Sequence, residues 1–236
     1  MHVELWRVRL DEERSDAPSP LSAAENARAE RLRIPDVRRR FIAARSALRR
    51  ILGGQLGIDP AAVEILAGTN GKPKVGAVGS DLEFNLSHSG EWMVVALCHG
   101  HPVGVDIESA NARLRAREIA DRYFTPRENE SLRAGSETDY ARSFLQLWTA
   151  KEAVMKATAL GVARGLGEVE ICLNPLSCIR PPTASGSPWQ LTTLDVADGV
   201  VGTLATPEAA TLSPLRSLDE IAEKVKKAEK RSGTNL

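Results

Sequence analysis

The spacing of apolar residues changes several times along this chain, and the changes mark out its elements. In HVELWRVRL, near the N-terminus, apolar and polar residues alternate, which predicts a first strand. A Pro/Ser loop, SDAPSP, follows, and Ser22 and Glu25 then stand at capping-box spacing for a helix through AAENARAERLR. Asp36 is placed to cap the next helix, VRRRFIAARSALRRIL, with Gly53 and Gly54 weakening or ending it. After Asp59-Pro60, VEILA reads as a short strand leading into the turn GTNGKP. DLEFNL and WMVVALC read as strands joined by SHSG, and VGVDIE as a further strand.

The helical period returns in RLRAREIADRYF, then in TPRENESLR with Thr125 and Glu128 at box spacing, then in a long helix containing LWTAKEAVMKA, Leu147 to Ala157. EVEICL, WQLTTLDV and VVGTLAT read as strands, the last two joined at Asp198-Gly199 by a hairpin turn. Helices followed by antiparallel strands thus occur twice. The pattern predicts an α+β fold of two similar halves, residues 1–105 and 106–215, with a charged, solvated tail over 216–236.

On a helical wheel of the long helix, Phe144, Leu145, Trp148 and Met155 share one apolar arc, and Glu152 and Lys156 fall inside it. An i,i+4 Glu-to-Lys surface pair belongs on the polar side with Gln146, Thr149 and Ala153. Charges kept against an apolar surface are paired or hold a ligand, because desolvation is expensive. This segment by itself leaves a structural pair and a functional site equally open.

Composition narrows the classes. The chain has 236 residues, 42% hydrophobic and 26% charged, with Lys plus Arg equal to Asp plus Glu at 31 each, so no global basic field points to nucleic acid. Three cysteines, Cys98, Cys172 and Cys178, lack paired metal-ligand spacing and suit a reducing compartment. No signal-peptide pattern and no apolar run of membrane-spanning length occurs, so the expectation is a cytoplasmic protein with no membrane partner.

In PVGVDIE, Val103, Val105 and Ile107 alternate with Gly104, Asp106 and Glu108, so two carboxylates project the same way, about 6.6 Å apart along the strand. Taken alone, such alternating acids read first as a solvated sheet face; a hard divalent cation also fits between the oxygens, and Glu152 becomes sensible as a third ligand, with Lys156 one turn further on touching an anionic substrate. His88 continues the apolar alternation Leu82, Phe84, Leu86 to a strand end, which by itself reads as a buried core histidine bonded to a backbone carbonyl. The SHSG around it offers hydroxyls, an imidazole and turn amides to a phosphate, and Lys72 stands on the NGKP turn. Arg38, Arg45 and Arg49 form a stripe on the early helix with Arg40 to the side; most such stripes are solvated faces, though guanidinium forks also suit phosphate. HGH at 99–101 belongs to a turn rather than to a zinc site.

GVDIE, FNLSHSG and WTAKEAVMKA, preceded by NGKP, resemble in order and spacing the signature motifs of the 4'-phosphopantetheinyl transferase superfamily, in its larger two-half, single-chain type; the match runs from about Ser22 to GVARGLG. The resemblance implies Mg²⁺-dependent transfer of phosphopantetheine from coenzyme A to a serine of an apo acyl or peptidyl carrier protein, releasing adenosine 3',5'-bisphosphate, with Mn²⁺ as an alternative metal. It implies Asp106, Glu108 and Glu152 as metal ligands and Lys156 on the pyrophosphate, with Lys151 the other lysine of that motif. Ser87, His88 and Lys72 are implied at the phosphates, Arg40 or Arg45 at the 3'-phosphate, and Arg28 near the same end. Glu152, directly or through a water on the metal, or Glu128 would accept the serine proton. The segment after Lys156 toward Trp189 would dock the carrier, and two halves in one chain imply a monomer. A Mg²⁺-dependent phosphohydrolase and a non-catalytic coenzyme A or carrier-binding protein are the alternatives. The first would act without a carrier; the second would lack an acid or a lysine that is present here.

Overall fold

The computed structural model describes residues 1–12, 19–110, 115–161, 165–183, 188–218 and 220. The elements are β1 (His2–Arg9), α1 (Ala23–Arg31), α2 (Pro35–Leu56), β2 (Ile65–Ala67), β3 (Pro73–Val75), β4 (Leu82–Ser89), β5 (Trp92–His99) and β6 (Gly104–Ser109). They continue with α3 (Ala116–Tyr123), α4 (Pro126–Ala134), α5 (Glu137–Thr158), β7 (Glu170–Leu173), β8 (Leu176–Arg180), β9 (Gln190–Asp195), β10 (Val200–Thr206) and β11 (Thr211–Arg216).

Strand alternation builds the layers. On β1 and β5, Trp6, Val8, Met93, Val95 and Leu97 face α2, packing with Leu48, Ile51 and Leu52. The opposite residues, Val3, Leu5, Val94, Ala96 and Cys98, pack against Val103, Val105 and Ile107 of the next sheet and its approach. That second sheet, ordered β6-β10-β9, carries α5 on its far side, so the order is α2, sheet β11-β1-β5-β4, sheet β6-β10-β9, α5. The chain is α+β as the pattern predicts. Among the described residues its pairings are antiparallel except that β11 lies parallel to β1, Val3 beside Leu212. Among the described residues no helix is long and apolar enough to cross a membrane.

Both capping boxes form: Ser22 and Glu25 at α1, Thr125 and Glu128 at α4. Asp36 does not cap α2. Proline needs no amide partner at a first helical position, so α2 starts at Pro35 and Asp36 lies in the first turn, paired with Arg39 at 3.3 Å. Nor do Gly53 and Gly54 end that helix, which runs on to Leu56 and stops at Gly57 with φ 67°. Gly53 is there for contact, since a Cβ would come within 2.9 Å of the Ile58 carbonyl. SHS, read as a connection, is the end of β4, and β3, β8 and β11 carry too little alternation to have been predicted. The SDAPSP loop and the charged tail fall largely outside the described residues.

Gly104 fixes how near α5 lies to β6. A Cβ there would sit 2.0 Å from the Ala153 carbonyl oxygen and 2.5 Å from the Ala157 nitrogen. Helix backbone cannot yield as a flexible side chain would, so Gly104→Ala should push the helix off the strand. The expected result in denaturant titration is a loss of about 2–3 kcal/mol or more.

Candidate active site

The close approach sets one face of α5, Trp148, Glu152 and Lys156, along the polar side of β6, where Asp106 and Glu108 project. The wheel's misplaced charges are thereby explained. Phe144, Leu145 and Met155 enter the core, while Glu152 and Lys156 turn to the strand. They do not serve as a pair for each other. Lys156 Nζ instead donates to Asp106 Oδ1 at 2.6 Å and to Ser87 Oγ at 3.1 Å.

The edges of β4 and β6 meet without a backbone ladder, and alternate β4 side chains supply the joins. Asn85 Oδ1 accepts from Val105 N at 2.9 Å, and Ser89 Oγ accepts from Ser109 N at 3.0 Å. Ser87 Oγ donates to Asp106 Oδ1 and Ser89 Oγ to Glu108 Oε2, each at 2.8 Å. Sequence reasoning found Ser87 and missed Asn85 and Ser89. The signal was the period-two polar run Asn85, Ser87, Ser89 opposite Phe84 and Leu86. His88 lies on the apolar face where it emerges into solvent, so it is not a core histidine. Partial desolvation first, and the Lys156 charge second, hold its pKa below the ordinary value.

The three carboxylates share a neighbourhood, and the charge of Asp106 raises the pKa of both glutamates. Burial pushes Asp106 up, offset by Lys156 and Ser87, and pushes Glu108 up, with the Asp106 charge adding to it and Ser89 opposing. Glu152 rises to about 7, first by burial and then by the charge of Asp106, with Lys156 opposing and Glu108 adding. Asp106 Oδ2 is buried without a hydrogen-bond partner, an unsatisfied position that is costly to maintain. Among the described residues no three His, Cys, Asp or Glu side chains are already drawn in to metal-binding spacing. The donor chemistry, carboxylate oxygens with one left unpartnered, suits a hard divalent cation. In the structure described here Lys156 supplies the positive charge.

A cleft of about 470 Å³ opens beside this group, lined among others by Arg45, Lys72, Asn85, Met155 and Lys156. Arg45 reaches the cleft wall, where it is paired with Glu25 through Nε at 2.6 Å. Arg40 is held by both Asp11 oxygens at 2.9 Å, and Arg28 stacks over the Phe41 ring at 5.1 Å. Lys72 donates to the carbonyls of Val103 and Ala157.

Lys151 and Glu128 belong to the framework. Both side chains are 0% exposed, and Lys151 Nζ donates to Glu128 Oε2 at 2.7 Å, Oε1 at 2.9 Å and Val169 O at 2.6 Å. Glu128 also accepts from Thr125 N and Ile171 N, tying α4, α5 and β7 together. Its oxygens are sealed and fully used, which withdraws Glu128 as a proton acceptor for an incoming substrate. Trp189 is likewise buried in the core, so it is no part of a docking surface; residues 162–164 and 184–187 of that segment lie outside the described residues.

Over residues 102–204 the chain matches the family model of the 4'-phosphopantetheinyl transferase superfamily. The 4'-phosphopantetheinyl transferase HetI of Nostoc sp. is 39% identical over 208 residues, 86% of this chain and 86% of that protein. A 4'-phosphopantetheinyl transferase of Bacillus subtilis is 34% identical over 170 residues, 66% of this chain and 73% of that one. The 4'-phosphopantetheinyl transferase Sfp of Bacillus subtilis strain 168 is 30% identical over 167 residues, with the same shares.

The raised pKa of Glu152 has a signed consequence for stability. Between about 4.5 and about 7 the folded state binds more protons than the unfolded one, so stability present at low pH is lost as pH rises through 7. In chelator at pH 8, Glu152→Gln should therefore be more stable than the parent by on the order of 2–3 kcal/mol. Thermal or denaturant unfolding across pH should show that gain vanishing toward pH 4.5.

Proposed function

Since the chain belongs to the 4'-phosphopantetheinyl transferase superfamily, an enzyme family that moves phosphopantetheine from coenzyme A to carrier proteins, we propose that its reaction is a Mg²⁺-dependent in-line displacement centred on Asp106, Glu152 and Lys156. The observation that carries this reading is the Lys156–Asp106 contact of 2.6 Å beside the cleft, with the second Asp106 oxygen buried and unpartnered. Asp106, Glu108 and Glu152 are the residues that would hold the cation. When bound, it supplies counter-charge for the pyrophosphate, which bare carboxylates would repel.

The carrier's serine oxygen attacks the phosphorus attached to pantetheine. The bond from that phosphorus to the adenosine side breaks, and its electron pair leaves with adenosine 3',5'-bisphosphate. The serine proton goes to Glu152 in its carboxylate form, directly or through a water. Lys156 donates to the phosphate oxygens as charge shifts toward the leaving group, a contribution made in the transition state. Ser87 keeps Asp106 oriented, and His88 serves as a neutral donor at the exposed rim. An arginine of α2, Arg45 or Arg40, takes the 3'-phosphate. With the nucleophile supplied by the partner, the site needs no serine–histidine–aspartate arrangement of its own.

Mass spectrometry of an apo carrier protein incubated with coenzyme A, Mg²⁺ and the enzyme should show one phosphopantetheine added to a serine. Coenzyme A breakdown that proceeds equally without any carrier would overturn this in favour of a phosphohydrolase. Lys156→Ala should lower kcat by about 10²–10³ with little change in KM. Of Arg45→Ala and Arg40→Ala, the one that erases preference for coenzyme A over its 3'-dephospho form identifies the 3'-phosphate ligand.

A further inference from the structure

Lys72 stands where two elements of the site come together. It lies in the turn between β2 and β3, and its side chain is 12% exposed. Its ammonium donates to Val103 O at 3.1 Å and to Ala157 O at 3.3 Å. Val103 immediately precedes β6, three residues before Asp106, and Ala157 immediately follows Lys156 in the last turn of α5. Glu83 Oε2 forms an ion pair with it at 3.8 Å, longer than a hydrogen bond.

An ammonium has three donors, and here two are spent on backbone. The last carbonyls of a helix have no intrahelical partner and carry the negative end of its dipole, so a cation is stabilised there. The same turn grips the helix end a second time. Asn70 Nδ2 donates to Ala159 O at 2.8 Å, and Ala159, with φ 54°, is the residue that terminates α5. Two side chains of one turn thus close the C-terminus of the helix that carries Lys156.

We propose that Lys72 is a positioning residue that clamps the last turn of α5 to the start of β6, and so holds Lys156 against Asp106, rather than a ligand of the coenzyme A phosphates. Its effect on transfer rests on the reaction proposed above; the clamp itself does not. As a phosphate ligand it would have only its third donor to offer while both carbonyls are held, and releasing either would leave that carbonyl unsatisfied in a largely buried place.

Hydrogen exchange by mass spectrometry on the substrate-free protein tests the clamp directly. Lys72→Met should speed exchange in both residues 102–107 and residues 153–159 by about tenfold or more. Asn70→Gly, which tolerates the left-handed backbone at that position, should loosen only the second segment, and Lys72→Arg should recover part of the protection in both. In the transfer assay Lys72→Met should lower kcat by about tenfold while KM for coenzyme A moves by less than about twofold. Unchanged exchange in the two segments, or a coenzyme A KM raised about tenfold at constant kcat, would overturn the proposal. A wild-type enzyme that transfers nothing would sink the reaction and leave the exchange result to decide the clamp.

Discussion

A helix lying almost on the backbone of a strand is the constraint from which the rest of this molecule follows. Only a residue without a Cβ fits at the start of β6, and at that distance α5 brings residues 148, 152 and 156 level with the carboxylates of the strand. Those groups come from chain segments some fifty residues apart. Had α5 packed at the ordinary distance of a helix over a side-chain layer, Lys156 would not reach Asp106 Oδ1 at 2.6 Å. The same nearness buries Glu152 among other carboxylates and raises its pKa, so the geometry that assembles the site also loads it with unfavourable charge.

Two ion pairs on α5 differ in how closed they are. In the first, Lys151 and Glu128 are sealed from water, and each has further hydrogen bonds that use up its remaining capacity. Such a pair is closed: breaking it would strand a buried charge, and nothing can enter it. In the second, Lys156 keeps a quarter of its side chain exposed and Asp106 retains an oxygen without a partner. That pair is open and borders the cleft. The rigid pair fixes the rotation of the helix, so the open pair five residues further along presents its groups in one direction.

Much of this was legible in the sequence, and the parts that were not have physical reasons. Periodicity found the long helices and most strands, because one face of each is buried; it missed β3, β8 and β11, short strands whose side chains are largely half-buried and give no clean alternation. Asp36 looked like a cap because its residue type suits one, but the preceding proline had already started the helix. At the site, Asp106, Glu108, Glu152 and Lys156 could be singled out because charge on an apolar arc or alternating acids on a strand break local rules. The polar join through Asn85, Ser87 and Ser89 was only half seen. A strand edge held by side chains in place of a ladder gives no local sign of what stands opposite. Lys151 and Glu128 looked like chemistry beside a motif, and only the tertiary structure reveals both as buried and fully bonded.

The reaction proposed for this site needs acids from β6 and α5 to act together on one cation. Calorimetric titration of Mg²⁺, in the presence of coenzyme A, into the wild type, Asp106→Asn and Glu152→Gln tests that most directly. The account predicts one cation site in the wild type, weakened by about tenfold or more in each variant alone. Wild-type Mg²⁺ affinity in either variant would contradict it.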